Sequence, residues 1–353
     1  MLSSKRPAEG EAARAQGLAR SPATDSLAKV ELLVSVVVPH LNGQRHLAQM
    51  VAALAKQTFR DFELIVADDG SDDPDSVERI VRDSQLARAR VVHLAHGGAA
   101  SARNGGIAQA GADFICLTDC DCLPDSGWLA RIYEGLARAD LVYGRVVTDE
   151  GHLFPRWAAP VGERFVTANC GFRRDLLRRI GDFRTSFNKP FREDSDFGLR
   201  AFSSGAAILC IPSAVVYHPL RTQGLSKLYR AGYWHFYDAD LLRLHGRNAL
   251  SEIGKSYTQP KLLGGFSYVG LTFTLGLLVL VVFLGRGMYY AAAATLALLL
   301  AGIVLSTMLA TLPSKGPRAW RDVIVNGLSG IPYAAGWYVG RVRGSFAFRR
   351  LCL

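Results

Sequence analysis

Much of what would place this 353-residue chain in a familiar functional class is missing from it. Its first 30 residues hold no apolar stretch of signal-peptide length and are rich in small and charged types. They read as a disordered leader (1–30), and the segment after them as not exported. The six cysteines, Cys116, Cys120, Cys122, Cys170, Cys210 and Cys352, form no Cys-x-x-Cys pair and lack the even, dense spacing of a disulfide scaffold. A reducing compartment fits that usage, whereas a zinc site does not. No Gly-x-Gly-x-x-Gly follows the first apolar segment, which excludes a dinucleotide-dependent oxidoreductase. Charge is almost absent between Leu262 and Leu312, where Arg286 stands alone. Negative charge is scarce beyond it: Asp322 is the single acid of residues 313–353, against seven Lys and Arg.

What remains is apolar and basic. With 49% hydrophobic and 20% charged residues, the chain must bury a sizeable core. Its formal charge of +10 comes from 41 Lys and Arg against 31 Asp and Glu, and +6 of it lies in residues 313–353. A nucleic-acid module would spread a basic stripe over its folded body, so the skew points to a basic tail and away from nucleic acid as partner.

From Val34 onward, short apolar runs alternate with helical periodicity. Val34–Val38 precedes Leu47, Met50, Val51 and Leu54 at i, i+3, i+4 and i+7. The pattern repeats as Phe62–Ala67 with Ser76–Arg82, Arg90–Leu94 with Ala100–Ala110, and Asp113–Thr118 with Gly127–Arg138. Such a series predicts an α/β fold with a mainly parallel sheet and ligands outside the carboxyl ends of the strands. Helices over Arg173–Ile180 and Asp194–Ser203, and strands over Ala206–Ile211 and Ala214–Tyr217, are expected to complete the sheet. Three strand ends are polar and turn-forming: Pro39-His40-Leu41-Asn42-Gly43, Asp68-Asp69-Gly70-Ser71-Asp72-Asp73 and Thr118-Asp119-Cys120-Asp121. Acids one residue apart at a strand end can aim both carboxylates at one point, which suits Mg²⁺ or Mn²⁺ held otherwise by phosphate and water. Each is equally an ordinary turn sequence.

In order along the chain stand V-S-V-V-V-P-H-L-N, F-E-L-I-V-A-D-D-G-S-D-D, G-G-A-A-S-A-R-N-G-G, D-F-I-C-L-T-D-C-D followed by P-D-S-G-W-L, A-N-C-G-F-R-R-D-L-L-R-R-I-G-D-F and R-E-D-S-D-F-G-L-R. Together they resemble the family 2 glycosyltransferases with the GT-A fold, from Val34 to Pro219. The resemblance implies a GT-A nucleotide-sugar-binding domain over 31–222 with a mainly parallel mixed sheet, followed by an all-α membrane region. It implies a nucleotide-sugar donor whose base and ribose pocket is lined by Pro39, Leu41 and Asp69, with Asn42 beside them. Position 41, usually aromatic in the family pattern, is Leu here. Gly98, Arg103 and Asn104 would lie beside the nucleotide, Asp119 on the ribose side, and Asp121 on a Mg²⁺ or Mn²⁺ bridging the diphosphate. Asp194 of the Glu193-Asp194 pair would be the general base, with Glu193 at the substrate. His218 stands where some relatives add a metal or phosphate contact, or is a structural histidine before Pro219. Asn169 and Cys170 lie near the acceptor or shape a turn. Asp196 is a second candidate base. On a helix, residues 194 and 196 project about 200° apart, so only one can face the pocket, and the resemblance favours Asp194.

Residues 223–260 interleave aromatic and basic types and read as interfacial or juxtamembrane helices. An ordinary surface helix over Leu225–His245 is the alternative. Residues 261–312 divide at Gly285-Arg286-Gly287 into two apolar spans of about 24 residues each and read as a transmembrane hairpin. The basic tail 313–353 holds a third apolar stretch at 323–340. Were it to span, Arg341, Arg343, Arg349 and Arg350 would lie outside, against the positive-inside rule, so it reads as re-entrant or surface-lying. The expectation is thus an inverting, metal-dependent glycosyltransferase at the cytoplasmic face of the plasma (inner) membrane, acting on a lipid-linked or glycan acceptor in the cell envelope. A processive polysaccharide synthase is the enzymatic alternative, but Gln223, Arg230 and Trp234 are wrongly spaced for the Q-x-x-R-W element of such synthases. A non-catalytic membrane-tethered binding protein would have no physical need for Asp69, Asp119, Asp121 and Asp194 together.

Overall fold

Runs of β-branched and aliphatic residues, buried on both faces, build the centre of a sheet. Strands β1 (Val34–His40) and β2 (Phe62–Asp68) lie parallel and in register, so that His40 stands opposite Asp68. The computed structural model describes residues 33–147, 166–219, 225–246, 275–311 and 320–349, all within the unit Leu32–Leu353. The remaining strands are β3 (Ala89–His93), β4 (Phe114–Leu117), β5 (Leu123–Pro124), β6 (Leu141–Val147), β7 (Cys170–Arg173) and β8 (Ile208–Tyr217). Their order is β3-β2-β1-β4-β7-β6-β8-β5. The first four are parallel, β7 runs antiparallel to both β4 and β6, and β8 is parallel to β6. The sheet is therefore mixed, with its parallel half at the amino-terminal side of the sequence.

Successive β1 side chains serve opposite faces, as the two-residue period of a strand requires. Val34, Val36 and Val38 join one buried cluster with Leu47, Met50, Leu54 and Trp128, while Val37 joins the other with Ile65, Ile115, Phe172 and Phe197. Helices α1 (Gln44–Leu54) and α4 (Trp128–Leu136) cover the first face, and α3 (Ala99–Ala108) and α6 (Glu193–Ser203) the second. Helix α2 (Pro74–Arg82) starts where Asp73 accepts the Ser76 N–H at 3.0 Å and Pro74 pre-sets the first turn, and α5 (Arg174–Ile180) follows β7.

Strands β6 and β7 were not expected from the sequence pattern. β7 has four residues, Cys-Gly-Phe-Arg, and exists because Leu117 pairs with Cys170 and Tyr143 with Cys170 from its two neighbours. The two segments expected over Ala206–Ile211 and Ala214–Tyr217 form the single strand β8, accommodated by a register shift between Gly144 and Arg145 of β6.

The expected helix over Leu225–His245 is two, α7 (Leu225–Tyr233) and α8 (Phe236–His245). A helical stretch over 275–285 and then α9 (Tyr289–Thr311) follow, with a turn at Arg286 and Gly287. The expected transmembrane hairpin 261–312 is not shown. Residues 261–274 and 312 lie outside the described residues. Among the described residues no helix is long and apolar enough to cross a membrane. The leader 1–30 and Cys352 also lie outside the described residues.

The third stretch, 323–340, belongs to one long helix, α10 (Trp320–Ala347), with Pro332 inside it. A Cβ added at Gly336, Gly340 or Gly344 would collide with the carbonyl oxygens of Tyr229, Tyr233 and Phe236 respectively. These glycines let α10 lie backbone to backbone on α7 and the start of α8. Gly340→Val, which overpacks this contact, is expected to destabilise the chain by about 1–3 kcal/mol, read as a lower midpoint of urea unfolding. An unchanged midpoint would contradict the backbone contact.

Candidate active site

The carboxyl ends of β1, β2 and β4 open onto a cavity of about 660 Å³. Eight of the expected residues line it: Pro39, Leu41, Asp69, Gly98, Arg103, Asp119, Asp121 and His218. His40, His96, Asn188, Lys189 and Trp234 line it as well and were given no role from the sequence.

The floor is set by strand register. His40 Nε2 accepts the Gly43 N–H at 3.1 Å, so the proton resides on Nδ1, which donates to Asp68 at 3.0 Å. Asp68 also binds the Ser71 hydroxyl at 2.5 Å and His93 at 3.2 Å. Burial would raise this carboxyl, but the Ser71, His40 and His93 hydrogen bonds outweigh it and hold Asp68 below its ordinary value.

Asp69 ties β2 to α3. Its two carboxylate oxygens accept the N–H groups of Gly97 at 2.8 Å and Gly98 at 2.9 Å, and His96 lies 2.9 Å from one of them. Gly98 has φ +89°, a conformation side chains resist, and a Cβ there would come within 2.7 Å of the Asn188 carbonyl. The turn thereby delivers the N-terminus of α3, the positive end of its dipole, to the cavity wall, an arrangement suited to anionic ligands.

Arg103, on α3, is 3% exposed and joins two acids: Nη1 donates to Glu193 at 2.8 Å and Nη2 to Asp119 at 2.9 Å. Among the described residues, the buried side-chain polar atoms without a partner are Arg103 Nε, Glu193 Oε2 and Thr118 Oγ1. All three belong to this knot or adjoin it. Folded interiors satisfy nearly all such atoms, and exceptions concentrate where a protein works.

Glu193 and Asp194 open α6, directly after Arg192, which adopts φ +73°. They do not line the cavity themselves; they stand behind Arg103. Burial pushes both carboxyls above their ordinary values, and the neighbouring Asp194 charge raises Glu193 further. Asp194 accepts the Ser195 N–H at 2.6 Å. Asp196 differs. It is fully buried and binds Arg184, Arg200 at 2.9 Å and His245 at 2.8 Å. Burial acts to raise its carboxyl, but the His245 hydrogen bond and the Arg200 and Arg184 charges prevail and hold it below the usual range. A carboxylate so engaged is a poor proton acceptor.

Asp121, Cys122 and His218 bring their ligand atoms within 4.8 Å of one another. His218 Nδ1 lies 3.2 Å from the Pro219 carbonyl, which only accepts, so Nδ1 carries the proton and the Nε2 lone pair faces Asp121 at 3.8 Å. Burial pushes the Cys122 thiol well above its ordinary value, so it stays protonated and is no partner for a hard cation. One carboxylate and one imidazole fit Mg²⁺ or Mn²⁺ whose other positions are filled by diphosphate and water.

Three other expected contacts are engaged elsewhere. Asn169 is fully buried: its oxygen accepts from Trp128 Nε1 at 2.8 Å, and its nitrogen donates to the Arg145 and Ala214 carbonyls at 3.0 and 2.9 Å. Its three bonds tie it to α4, β6 and β8, and Cys170 beside it is the buried start of β7. Asn104 pins the backbone of Phe183 through both amide atoms, and exposed Asn42 binds the Ser71–Asp72 turn.

Residues 35–204 match the glycosyl transferase family 2 model, so this stretch is similar to a family 2 glycosyltransferase domain, and its sheet is a mixed α/β one. Similar curated proteins include Glycosyltransferase GlyG of Streptococcus pneumoniae serotype 4, 30% identical over 155 residues, 43% of this chain and 52% of GlyG. Chondroitin synthase of Escherichia coli is 34% identical over 237 residues, 52% of this chain and 34% of the synthase. Among solved structures, that of S. aureus TarS is similar at a TM-score of 0.46 and 20% identity, over 64% of this chain and 44% of TarS. The chain spans about half or less of the length of these relatives.

Asn169→Ala is expected to cost about 1–3 kcal/mol for each buried partner it orphans, read as a lowered unfolding midpoint. If Asn169 instead contacted substrate, KM would rise while stability held.

Proposed function

We propose that this chain is an inverting, divalent-metal-dependent glycosyltransferase that moves a sugar from a nucleotide-sugar donor to a hydroxyl or phosphate acceptor. The observation that carries the reading is the Arg103 knot, which joins Asp119, on the wall of a cavity also lined by Asp121 and His218, to Glu193 behind that wall, with Asp194 next to it in the chain. Asp194 takes the proton of an acceptor hydroxyl as its oxygen attacks the anomeric carbon. A raised carboxyl pKa suits that task. The bond from the anomeric carbon to the diphosphate oxygen breaks as the new bond forms on the opposite face, so the configuration inverts. The α3 N-terminus and the exposed Lys189 oppose the charge left on the diphosphate. Asp121 and His218 would hold Mg²⁺ or Mn²⁺, which when bound neutralises the diphosphate oxygens.

The acceptor in this reading is lipid-linked or a glycan of the cell envelope, and the chain sits on the inner membrane with its catalytic domain facing the cytoplasm. Support comes from the near absence of charge over Leu262–Leu312 and from Leu275, Leu278, Val281, Tyr290 and Leu298, all large, apolar and exposed. The likeness to a chondroitin synthase keeps a processive polysaccharide synthase as the second reading.

Detergent-purified protein is expected to be stabilised by one of a panel of UDP-, GDP- and dTDP-sugars with Mn²⁺, and less so with EDTA. Stabilisation without turnover would favour a non-catalytic binding protein. Asp194→Asn is expected to lower transfer by about 10²- to 10⁴-fold while donor binding persists; wild-type turnover would refute the assignment. Because the base must be unprotonated and its carboxyl is raised, the rate is expected to fall as pH drops through a value above the ordinary carboxylate range. An acid limb at or below that range would remove Asp194 from the role.

A further inference from the structure

Helix α10 carries a buried arginine into a second knot of charge behind the catalytic helix. Arg341, 4% exposed, donates from Nε at 2.9 Å and from Nη2 at 2.8 Å to one oxygen of Asp238, on α8. The other Asp238 oxygen accepts from Arg192 Nε at 2.8 Å. His235 Nδ1 lies 2.7 Å from Asp238, and its Nε2 lies 2.7 Å from the Tyr333 hydroxyl of α10. Asp238 is fully buried, and although burial acts to raise its carboxyl, Arg192, His235 and Arg341 together hold it well below its ordinary value.

The point of delivery is Arg192. Its backbone sits in the left-handed region at φ +73°, which is unfavourable for a residue with a side chain and persists only where the surroundings enforce it. Its side chain is held by Asp238 and lies over the Phe191 ring, 4.6 Å from the centroid. The next two residues are Glu193 and Asp194, so Arg192 is the cap from which α6 starts and both carboxylates follow it directly. The Arg192 charge also acts on Asp194 directly, favouring its ionised form. Gly336, Gly340 and Gly344 give α10 the close approach to α7 and α8 that lets Arg341 reach inward.

We propose that Asp238 and Arg341 are positioning residues for sugar transfer: the seating of α10 on α7 and α8 fixes Arg192, and through it the aim of Asp194. The inference rests on Asp194 being the base. It adds that the C-terminal helix, far from the domain in sequence, is a working part of the catalytic site.

The test uses the full chain in detergent and the nucleotide sugar that the binding panel selects, scored as release of nucleoside diphosphate per folded molecule. Arg341→Met is expected to lower kcat by about 10- to 100-fold, the range that follows a misplacement of about 1 Å, with KM for the donor unchanged within about threefold. Arg341→Lys keeps the charge without the paired nitrogens and is expected to fall between Arg341→Met and the wild type. It also serves if Arg341→Met does not fold. A purely structural α10 would lower the unfolding midpoint and leave kcat of the folded fraction at its wild-type value for both variants, which overturns the proposal. Asp194→Asn, measured alongside, separates the two assignments. If it keeps turnover, the base assignment fails and this inference with it; if it loses turnover while both Arg341 variants keep theirs, this inference fails alone.

Discussion

A guanidinium that cannot reach water organises the carboxyl edge of the sheet. Arg103 is buried on α3, so its charge must be met inside the protein, and Glu193 and Asp119 meet it. A buried ion pair adds little net stability but is expensive to break, because loss of one partner strands the other. The knot therefore acts mainly as a geometric constraint. It locks together the helix after β3, the loop after β4 and the start of α6, three elements that share no local sequence. The atoms it leaves unpartnered, Arg103 Nε and Glu193 Oε2, show that the constraint is met incompletely, as sites under functional demand tolerate.

Asp238 imposes a second constraint of the same physical kind. It gathers Arg192, Arg341 and His235 in a region closed to solvent, and it joins α10 to Arg192, the residue before α6. The glycines of α10 make this possible by removing side-chain bulk from the helix contact. One consequence concerns the basic tail. Read as a string, Arg341 is one of several C-terminal arginines that count toward membrane orientation. Folded, it is buried, paired and stacked on Trp337 at 4.4 Å, so its charge is not available to lipid headgroups.

How much of this was legible in the sequence depends on the range over which each feature is decided. Strands β1 to β4 and helices α1 to α4 follow from periodicity within a dozen residues, and they stand within a few residues of where the pattern puts them. Asp69, Asp119 and Asp121 at the strand ends, with His218, do line one cavity. β7 is not legible in the sequence because four residues containing a glycine carry no periodic signal, and its strand character comes from its neighbours. Helical projection could say that only one of Asp194 and Asp196 faces the cavity side. The choice between them lies in partners: Arg184, Arg200 and His245 occupy Asp196 and leave Asp194 the less engaged. By sequence Asn169 suits an acceptor contact and a turn equally, and the partners of its three bonds are fixed only by the fold.

By itself, then, the sequence determined the α/β class, the parallel half of the sheet and the family motifs, because apolar periodicity and turn chemistry are local properties. Tertiary structure alone decided which polar side chains are available for chemistry and which are spent on the fold. Arg103 finds Glu193 across 90 residues, and Asp238 finds Arg341 across 103. Charges taken out of water must be compensated by whatever lies nearest in space, and nearness in space is not written in the spacing of residues along the chain.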